Sequence, residues 1–508
     1  MVARPADQED ACAGTREWLG LAVLALPLLV VSLDVSVLYL AAPALAADLA
    51  PSATQLLWIL DVYGFVIAGF LLTMGTLGDR IGRRRLLLVG ATAFAVASVI
   101  AAYAPTPGWL IAARALLGVA GATLMPSTLG LISVMFRNTA QRSFAIAIWM
   151  TTFTAGAILG PLVGALLLER FWWGSVFLLG VPVAVLLLAL GPWLLPEFRD
   201  PAAGRLDLAS VGLSLAAMLP LVYGVKQMAA HGPGLVEVAA LAVGLGAGWV
   251  FVRRQQQLAH PMLDVALFTR PVFAAAVGLL LMGLLAVNGL MYLLPQYLQL
   301  VAGHPALTAG LLMVPVVVAA IVVQLLTPRL ARRFGRTALI AGGASVGLVA
   351  MLALGAVAHD GPLVLVVALV AVAVLGISPV PLLGTDLVVG SVPVERTGSA
   401  AAVTETAGEL GAALSVAVIG SIVTAVYVTT LQLPAGVTSD EAAVADGLPG
   451  TLAAARELPE PAGTLLADAA RAAFSAGFGA AAIAGAVLVA AVVVLALTVL
   501  RRSAQPYS

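Results

Sequence analysis

The chain of 508 residues is 62% hydrophobic and only 10% charged, with a formal net charge of zero, whereas soluble globular chains carry roughly a quarter charged residues. That balance excludes a soluble domain and leaves no basic face for nucleic acid. A single cysteine, Cys12, excludes internal disulfides and thiolate clusters, and His231, His260, His304 and His359 lack metal-ligand spacing, so no cofactor is expected.

Apolar segments recur from Leu19 almost to the C-terminus, and about 20 helical residues cross a ~30 Å hydrocarbon layer. Continuous apolar runs, without the ten-residue alternation of a barrel, make these spans helices. Turn residues and charges mark fourteen, starting near residues 19, 55, 86, 109, 143, 174, 206, 234, 271, 306, 337, 362, 399 and 474. The expected architecture is an all-α polytopic membrane protein. Its parts are a tail (1–18), a six-helix bundle (19–198), two linker helices (206–253), a second six-helix bundle (271–428 and 474–500) and a long outer loop (430–472) that is solvated or forms a partly helical cap. The tail MVARPADQEDACAGTREW has no cleavable-signal pattern, so the first span is expected to stay. Of the 25 basic residues, Arg114 falls inside a span, Arg170, Lys226, Arg456 and Arg471 fall on the side opposite the N-terminus, and the other 20 fall on its side. By the positive-inside rule both termini are cytoplasmic.

The first span carries Asp34, in SLDVSVLYL, about 22 Å along its axis. A carboxylate there costs roughly 2.5 to 3.5 kcal/mol on insertion scales, so it faces a cavity or a partner. The second span, QLLWILDVYGF, places Asp61 at similar depth between Trp58 and Tyr63. A carboxylate beside aromatic rings suits a lipophilic cation, although the two rings can equally anchor the helix at the interface. The loop GTLGDRIGRRR follows, with Gly75 and Gly82 permitting close backbone approach and Asp79 set among Arg80, Arg83, Arg84 and Arg85. On the fourth span Arg114 reaches the depth of Asp34 and Asp61 and can neutralise either; Asp34 and Arg114 form the expected proton-linked pair. On the fifth, GAILGPLVGA, Gly156, Gly160 and Gly164 make one flat packing face and Pro161 a kink.

In the second half, PRLARRFGRT (328–337) aligns with GTLGDRIGRR (75–84) at an offset of 253, so the chain reads as two related halves with two linker spans between them. Repeated halves with a site between them are a common transporter plan. Arg332 replaces Asp79 in the second copy, which leaves the full acid–base cluster to the first half alone. Asn288, Met291, Tyr292 and Gln296, in VNGLMYLLPQY, occupy the place equivalent to the first span, either as an opposite cavity wall or as ordinary interhelical packing. Asp386 lies near the inner end of the twelfth span, where it is expected to reach water. Glu405 and Glu409, four apart on the thirteenth, share a helix face. Two carboxylates that close in a low dielectric do not both ionise cheaply, which suits a proton carrier.

GTLGDRIGRRR resembles the loop signature of the major facilitator superfamily, LIAARALLGVAGA (110–122) its helix-four arginine motif and GAILGPLVGA its antiporter motif. With LDVSVLYLAAP (33–43) the resemblance points to the fourteen-helix drug:proton antiporters and spans essentially the whole chain. The chain departs from these motifs at Tyr39, Leu117 and Ala165. The resemblance implies a secondary transporter rather than an enzyme, driven by proton motive force in a bacterial cytoplasmic membrane and functional as a monomer. It implies that Asp79 and its basic partners latch the outward-facing state, that Arg114 and Asp34 handle protons, and that Asp61 marks exporters of quaternary ammonium compounds and dyes. Proton exchange through Asp34, Glu405 and Glu409, alternating with a cation held by Asp34, Asp61 and Glu409, is the expected mechanism. A dedicated exporter of one antibiotic or metabolite is the alternative, and a proton-symport importer is disfavoured by the fifth-span motif. No Gly-x-x-x-x-Gly-Lys-Ser/Thr phosphate loop is present to support an ATP-driven pump.

Overall fold

The computed structural model describes residues 13–199, 207–231, 234–258, 261–393, 397–435, 437–439, 444 and 447–500. Cys12, His260 and the loop acids Asp440, Glu441 and Asp446 lie outside the described residues, as do the side chains of Pro161, Lys226 and His231.

Helices account for the described spans. The first half comprises α1 (Thr15–Leu49), α2 (Ala53–Ile81), α3 (Arg83–Ala102), α4 (Pro107–Met135), α5 (Thr139–Leu168) and α6 (Gly180–Leu194). A hairpin of α7 (Leu208–His231) and α8 (Leu235–Gln255) leads to α9 (Pro271–Gln296), α10 (Ala306–Phe334), α11 (Arg336–Val357), α12 (Leu363–Ile377), α13 (Pro379–Gly390), α14 (Thr397–Thr430), α15 (Gly447–Glu457) and α16 (Ala462–Leu495). Among the described residues, thirteen helical stretches are long and apolar enough to cross a membrane, α12 and α13 together forming one of them. The 30-residue α5 completes the fourteen expected spans. Pro379 at the start of α13 interrupts the twelfth span, because proline lacks the backbone donor the helix needs.

Local chemistry sets the boundaries. Ser52 caps α2 in a reciprocal box with Gln55, and Thr106 caps α4 ahead of Pro107 at its first turn. Gly82 breaks α2 from α3 at φ +109°, and Gly335, its counterpart at the offset of 253, breaks α10 from α11 at φ +85°. Only glycine takes such a conformation without strain, so the two copies of the motif are the same structural device. The last helix begins at Ala462, ahead of the start expected near 474. An ion pair between Asp468 and Arg471, one turn apart at 3.2 Å, and a hydrogen bond from Arg471 to the Leu300 carbonyl carry it beyond the apolar run.

Two cores follow the two halves. Side chains of α1 to α6 make the first, and side chains of α9 to α16 the second. Leu382, Val389 and Ala401 of α13 and α14 belong to the first core, so the halves close on each other at the end that carries the described termini, here called the terminal face. The α7–α8 hairpin packs against both α2 and α14.

Candidate functional site

Asp34 on α1 receives a charge-assisted hydrogen bond from Arg114 on α4. The arginine is 1% exposed, and a charge so buried needs every donor directed. Its Nε donates to the Ile59 carbonyl at 3.1 Å, and its guanidinium lies 4.5 Å from the Tyr63 ring centroid and 5.8 Å from that of Phe177. Of the two acids at similar depth, Arg114 therefore engages Asp34. Tyr63 presents a ring face to this guanidinium, so its aromatic surface serves the protein's own cation. Its buried hydroxyl has no hydrogen-bond partner among the described residues and lies within electrostatic reach of Asp34, Arg114 and Glu409. Glu409 is in turn within reach of Glu405, which is 9% exposed. Five residues from four helices thus form one electrostatic cluster.

The glycine face of α5 supports it. A Cβ at Gly156 would lie 2.9 Å from the Leu29 carbonyl and from the Ser32 Cβ, and one at Gly160 only 1.8 Å from the Ser36 Oγ. Ser32 donates to the Phe153 carbonyl at 2.6 Å. The residues on either side of Asp34 are therefore those that α5 grips. Gly164 and Gly75 are also buried.

The other aromatic and polar positions distribute differently. Trp58 stacks on Tyr223 of α7 at 6.1 Å and meets Phe65 edge-on at 5.9 Å, so it joins α2 to the linker hairpin. Asp61 is half-buried one turn along the same helix. Asn288, Met291, Tyr292 and Gln296 sit on α9, which packs against α13, α14 and α16 of its own half. Gln296 donates to the Tyr292 carbonyl at 3.0 Å, and Met291 packs on the second core.

At the terminal face Asp79, 7% exposed, pairs with Arg83 at 2.8 Å and accepts from the Ser399 backbone N–H at 2.9 Å. That N–H belongs to the first turn of α14, where the helix dipole favours an anion. Arg83 also donates to the Gly130 carbonyl at 3.0 Å. Arg84 turns away to Glu197 and the Leu195 carbonyl, and Arg80 lies within electrostatic reach of Asp79 and Asp207.

Two expectations are corrected here. Asp386 does not reach water. It is fully buried, with Arg142 at 3.2 Å, Arg336 at 2.7 Å and the Ser143 hydroxyl at 2.8 Å. Nor does the first half alone hold an acid–base cluster: Arg336, the counterpart of Arg83, finds its acid in Asp386, and Arg142 makes that cluster span both halves. The reason is geometric, since the acid stands on α13 rather than in the loop motif. Arg336 at the second-copy position was a signal that such an acid was required.

The sequence model of the Major Facilitator Superfamily matches residues 24–416. The chain belongs to this superfamily. It is 45% identical over 474 residues to the multidrug efflux pump LfrA of Mycolicibacterium smegmatis, covering 93% of this chain and 94% of the relative. It is 34% identical over 461 residues to the methyl viologen resistance protein SmvA of Salmonella typhimurium, covering 90% and 93%. The tetracenomycin C resistance and export protein of Streptomyces glaucescens is 29% identical over 503 residues, covering 97% and 93%. Among solved structures, the human organic anion transporter MFSD10 (TETRAN) shares the fold at TM-score 0.61 and 15% identity over 94% of this chain and 99% of its own. The proton:xylose symporter XylE does so at 0.57 and 16%, over 94% and 96%. The protein is accordingly a multi-pass membrane transporter rather than an enzyme.

Proposed function

We propose that the protein is a proton-driven antiporter that exports lipophilic cations, including quaternary ammonium compounds and dyes, from a bacterial cytoplasm, with both termini on the cytoplasmic side. The observation that carries this reading is the Asp34–Arg114 pair set against Tyr63, Glu409 and Glu405. Among the described residues this arrangement brings one buried arginine, paired with Asp34, and two further carboxylates into one cluster. A proton and a cationic substrate can be held by the same carboxylates, and competition between the two is antiport in its simplest form. Asp34 and Arg114 exchange the proton with Glu405 and Glu409, while Asp61 adds charge near the opposite face. Relatives named for multidrug efflux and for resistance to methyl viologen, itself a dication, support the substrate class. Each net charge crossing 100 mV contributes about 2.3 kcal/mol, so exchange of two or more protons for a monovalent cation draws on voltage as well as pH.

A second reading, a dedicated exporter of one antibiotic, is favoured by the likeness to the tetracenomycin C protein. Proteoliposomes with an imposed pH gradient separate the two. Gradient-dependent ethidium uptake into inside-acidic vesicles, lost in Asp34→Asn, is the expected result. No ethidium movement by folded wild type would overturn the cation-antiport reading in favour of the dedicated exporter.

A further inference from the structure

Gln255 ends α8 and is 2% exposed. Both ends of its side-chain amide are engaged: Nε2 donates to the Ser210 hydroxyl at 2.7 Å, and Oε1 accepts from the backbone N–H groups of Met262 at 2.7 Å and Leu263 at 3.3 Å. A buried side chain that satisfies two backbone donors does for a strap what a helix cap does for a helix. Ser210 passes the connection on to Asp207, which pairs with Arg254 at 2.8 and 3.0 Å. The linker hairpin and the strap that follows it are thus tied together at the terminal face.

The carbonyl of the gripped residue does something further. Met262 O accepts from the Ser399 hydroxyl at 3.2 Å and from Thr76 at 3.3 Å, Thr76 sharing its proton with the Leu72 carbonyl. Thr76 belongs to the first half and Ser399 to the second. Ser399 is also the residue whose N–H holds Asp79. Around these bonds Leu72, Phe251 and Ala402 form a buried cluster with Leu213 and Leu263, drawing side chains from α2, both linker helices, the strap and α14.

We propose that Gln255 is a positioning residue of the terminal-face gate: it holds the Met262 carbonyl between Thr76 and Ser399, which makes the linker hairpin part of the contact that breaks when that face opens. One carbonyl does not keep donors on two separating halves, so opening requires the strap to release one of them. Gln255 resists that release by fixing the strap to α8. The hairpin is therefore a weight on the conformational equilibrium and not a passive spacer. The inference rests on the alternating-access reading but needs neither the substrate nor the proton, and its test uses neither.

The test uses full-length protein with Cys12→Ser as the parent. Ala402→Cys, at a position with no exposure, reports opening of the terminal face through its rate of alkylation by a charged maleimide. Spin labels at Ala47→Cys and Gln299→Cys, exposed positions of the two halves near the opposite face, report closure there as a shorter distance component. Gln255→Ala is expected to raise alkylation by about tenfold, the scale set by one or two lost buried hydrogen bonds, and to enlarge the short-distance population. Gln255→Glu, which retains the acceptor for both backbone N–H groups but loses the donor to Ser210, should fall between the parent and Gln255→Ala. Ser399→Ala keeps the N–H bond to Asp79 and loses only the Met262 link, so it should shift both readouts the same way by less, and it decides alone if Gln255→Ala fails to fold. Faster alkylation without a change in the Ala47–Gln299 distance would mean local loosening and overturn the proposal, as would parental values in both variants. A transport assay that fails while these distances shift would count against the antiport reading only.

Discussion

Gly160 on α5 lies so near Ser36 on α1 that a Cβ added to it would come within 1.8 Å of the serine hydroxyl oxygen. Gly156 makes the equivalent approach to Ser32. Between these serines stands Asp34, held by Arg114 from α4. The glycine face of α5 and the buried acid thus lie at one helix contact, with Ser32 and Ser36 packed on α5 to either side of Asp34.

Gly160→Ala should therefore disturb transport more than a surface glycine would. Overpacking of this kind costs about 1 to 3 kcal/mol. We expect at least a severalfold fall in dye efflux at unchanged membrane abundance. Adding Ser36→Ala removes the nearest atom and should restore part of the activity, leaving approaches of 2.9 Å to the residue-36 Cβ and 3.4 Å to the Leu33 carbonyl. Efflux rates of the single and double variants, normalised to protein in the membrane, check this; no difference between them would separate the glycine face from Ser36.

Arg114→Ala leaves the Asp34 carboxylate buried without its cation, a loss of about 3 to 5 kcal/mol for a buried pair. The double variant Asp34→Asn with Arg114→Gln should recover much of that stability while remaining inactive. Thermal unfolding of the purified proteins in detergent distinguishes this from a pair that contributes nothing, for which both variants would melt like wild type.

Tyr63→Phe removes a buried hydroxyl that has no partner among the described residues. An unsatisfied buried hydroxyl costs about 1 to 3 kcal/mol, so the change should leave the melting temperature equal or higher. Because the hydroxyl stands within reach of both Asp34 and Glu409, transport should fall all the same. A fall in both stability and transport would show that the hydroxyl holds the fold and not the site.

Asp207, just ahead of α7, bonds Arg254 and Ser210, which hold its carboxyl well below the usual range. A depressed carboxyl contributes stability that is present above its unfolded value near 4 and lost as pH falls through the lower folded value. Between pH 5 and 8 its contribution is therefore constant. Asp207→Asn should lower stability by the same amount across that window and leave the pH profile of transport unshifted. A displaced profile would place Asp207 in the proton path.

Much of this was legible because burying charge among apolar residues has few solutions. Asp34, Arg114, Glu405 and Glu409 stood out as costly residues in apolar runs; depth arithmetic set Arg114 level with both Asp34 and Asp61, and the family resemblance supported the first. Gly82 and Gly335 stood out because the same motif occurs twice. The partners of Asp386 were hidden: Arg142 lies 244 positions away, and both it and Arg336 read equally well as topology signals. Gln255 was hidden for a related reason, since a glutamine at a helix end is ordinary until the fold brings a strap back to it. The role of Tyr63 changed because sequence gives a ring its neighbours along the helix and not the guanidinium that approaches from α4.

Asp386 supplies the last prediction. Its carboxylate separates two arginines, one from each half, at the terminal face. Asp386→Asn leaves Arg142 and Arg336 facing each other without an anion, so that face should open more readily and labelling of a cysteine at Ala402 should speed up. Arg142→Gln alone breaks the bond between the halves but leaves Arg336 with Asp386, and should have the smaller effect. If the cluster is a latch, the two changes are not additive: residues in one ion-pair network couple by about 0.5 to 3 kcal/mol. In the double variant Arg142 no longer repels Arg336, so its labelling rate should fall between those of the singles. Additive rates would mean that Asp386 and Arg142 act separately, and would leave Asp79 and Ser399 as the contact that holds the face shut.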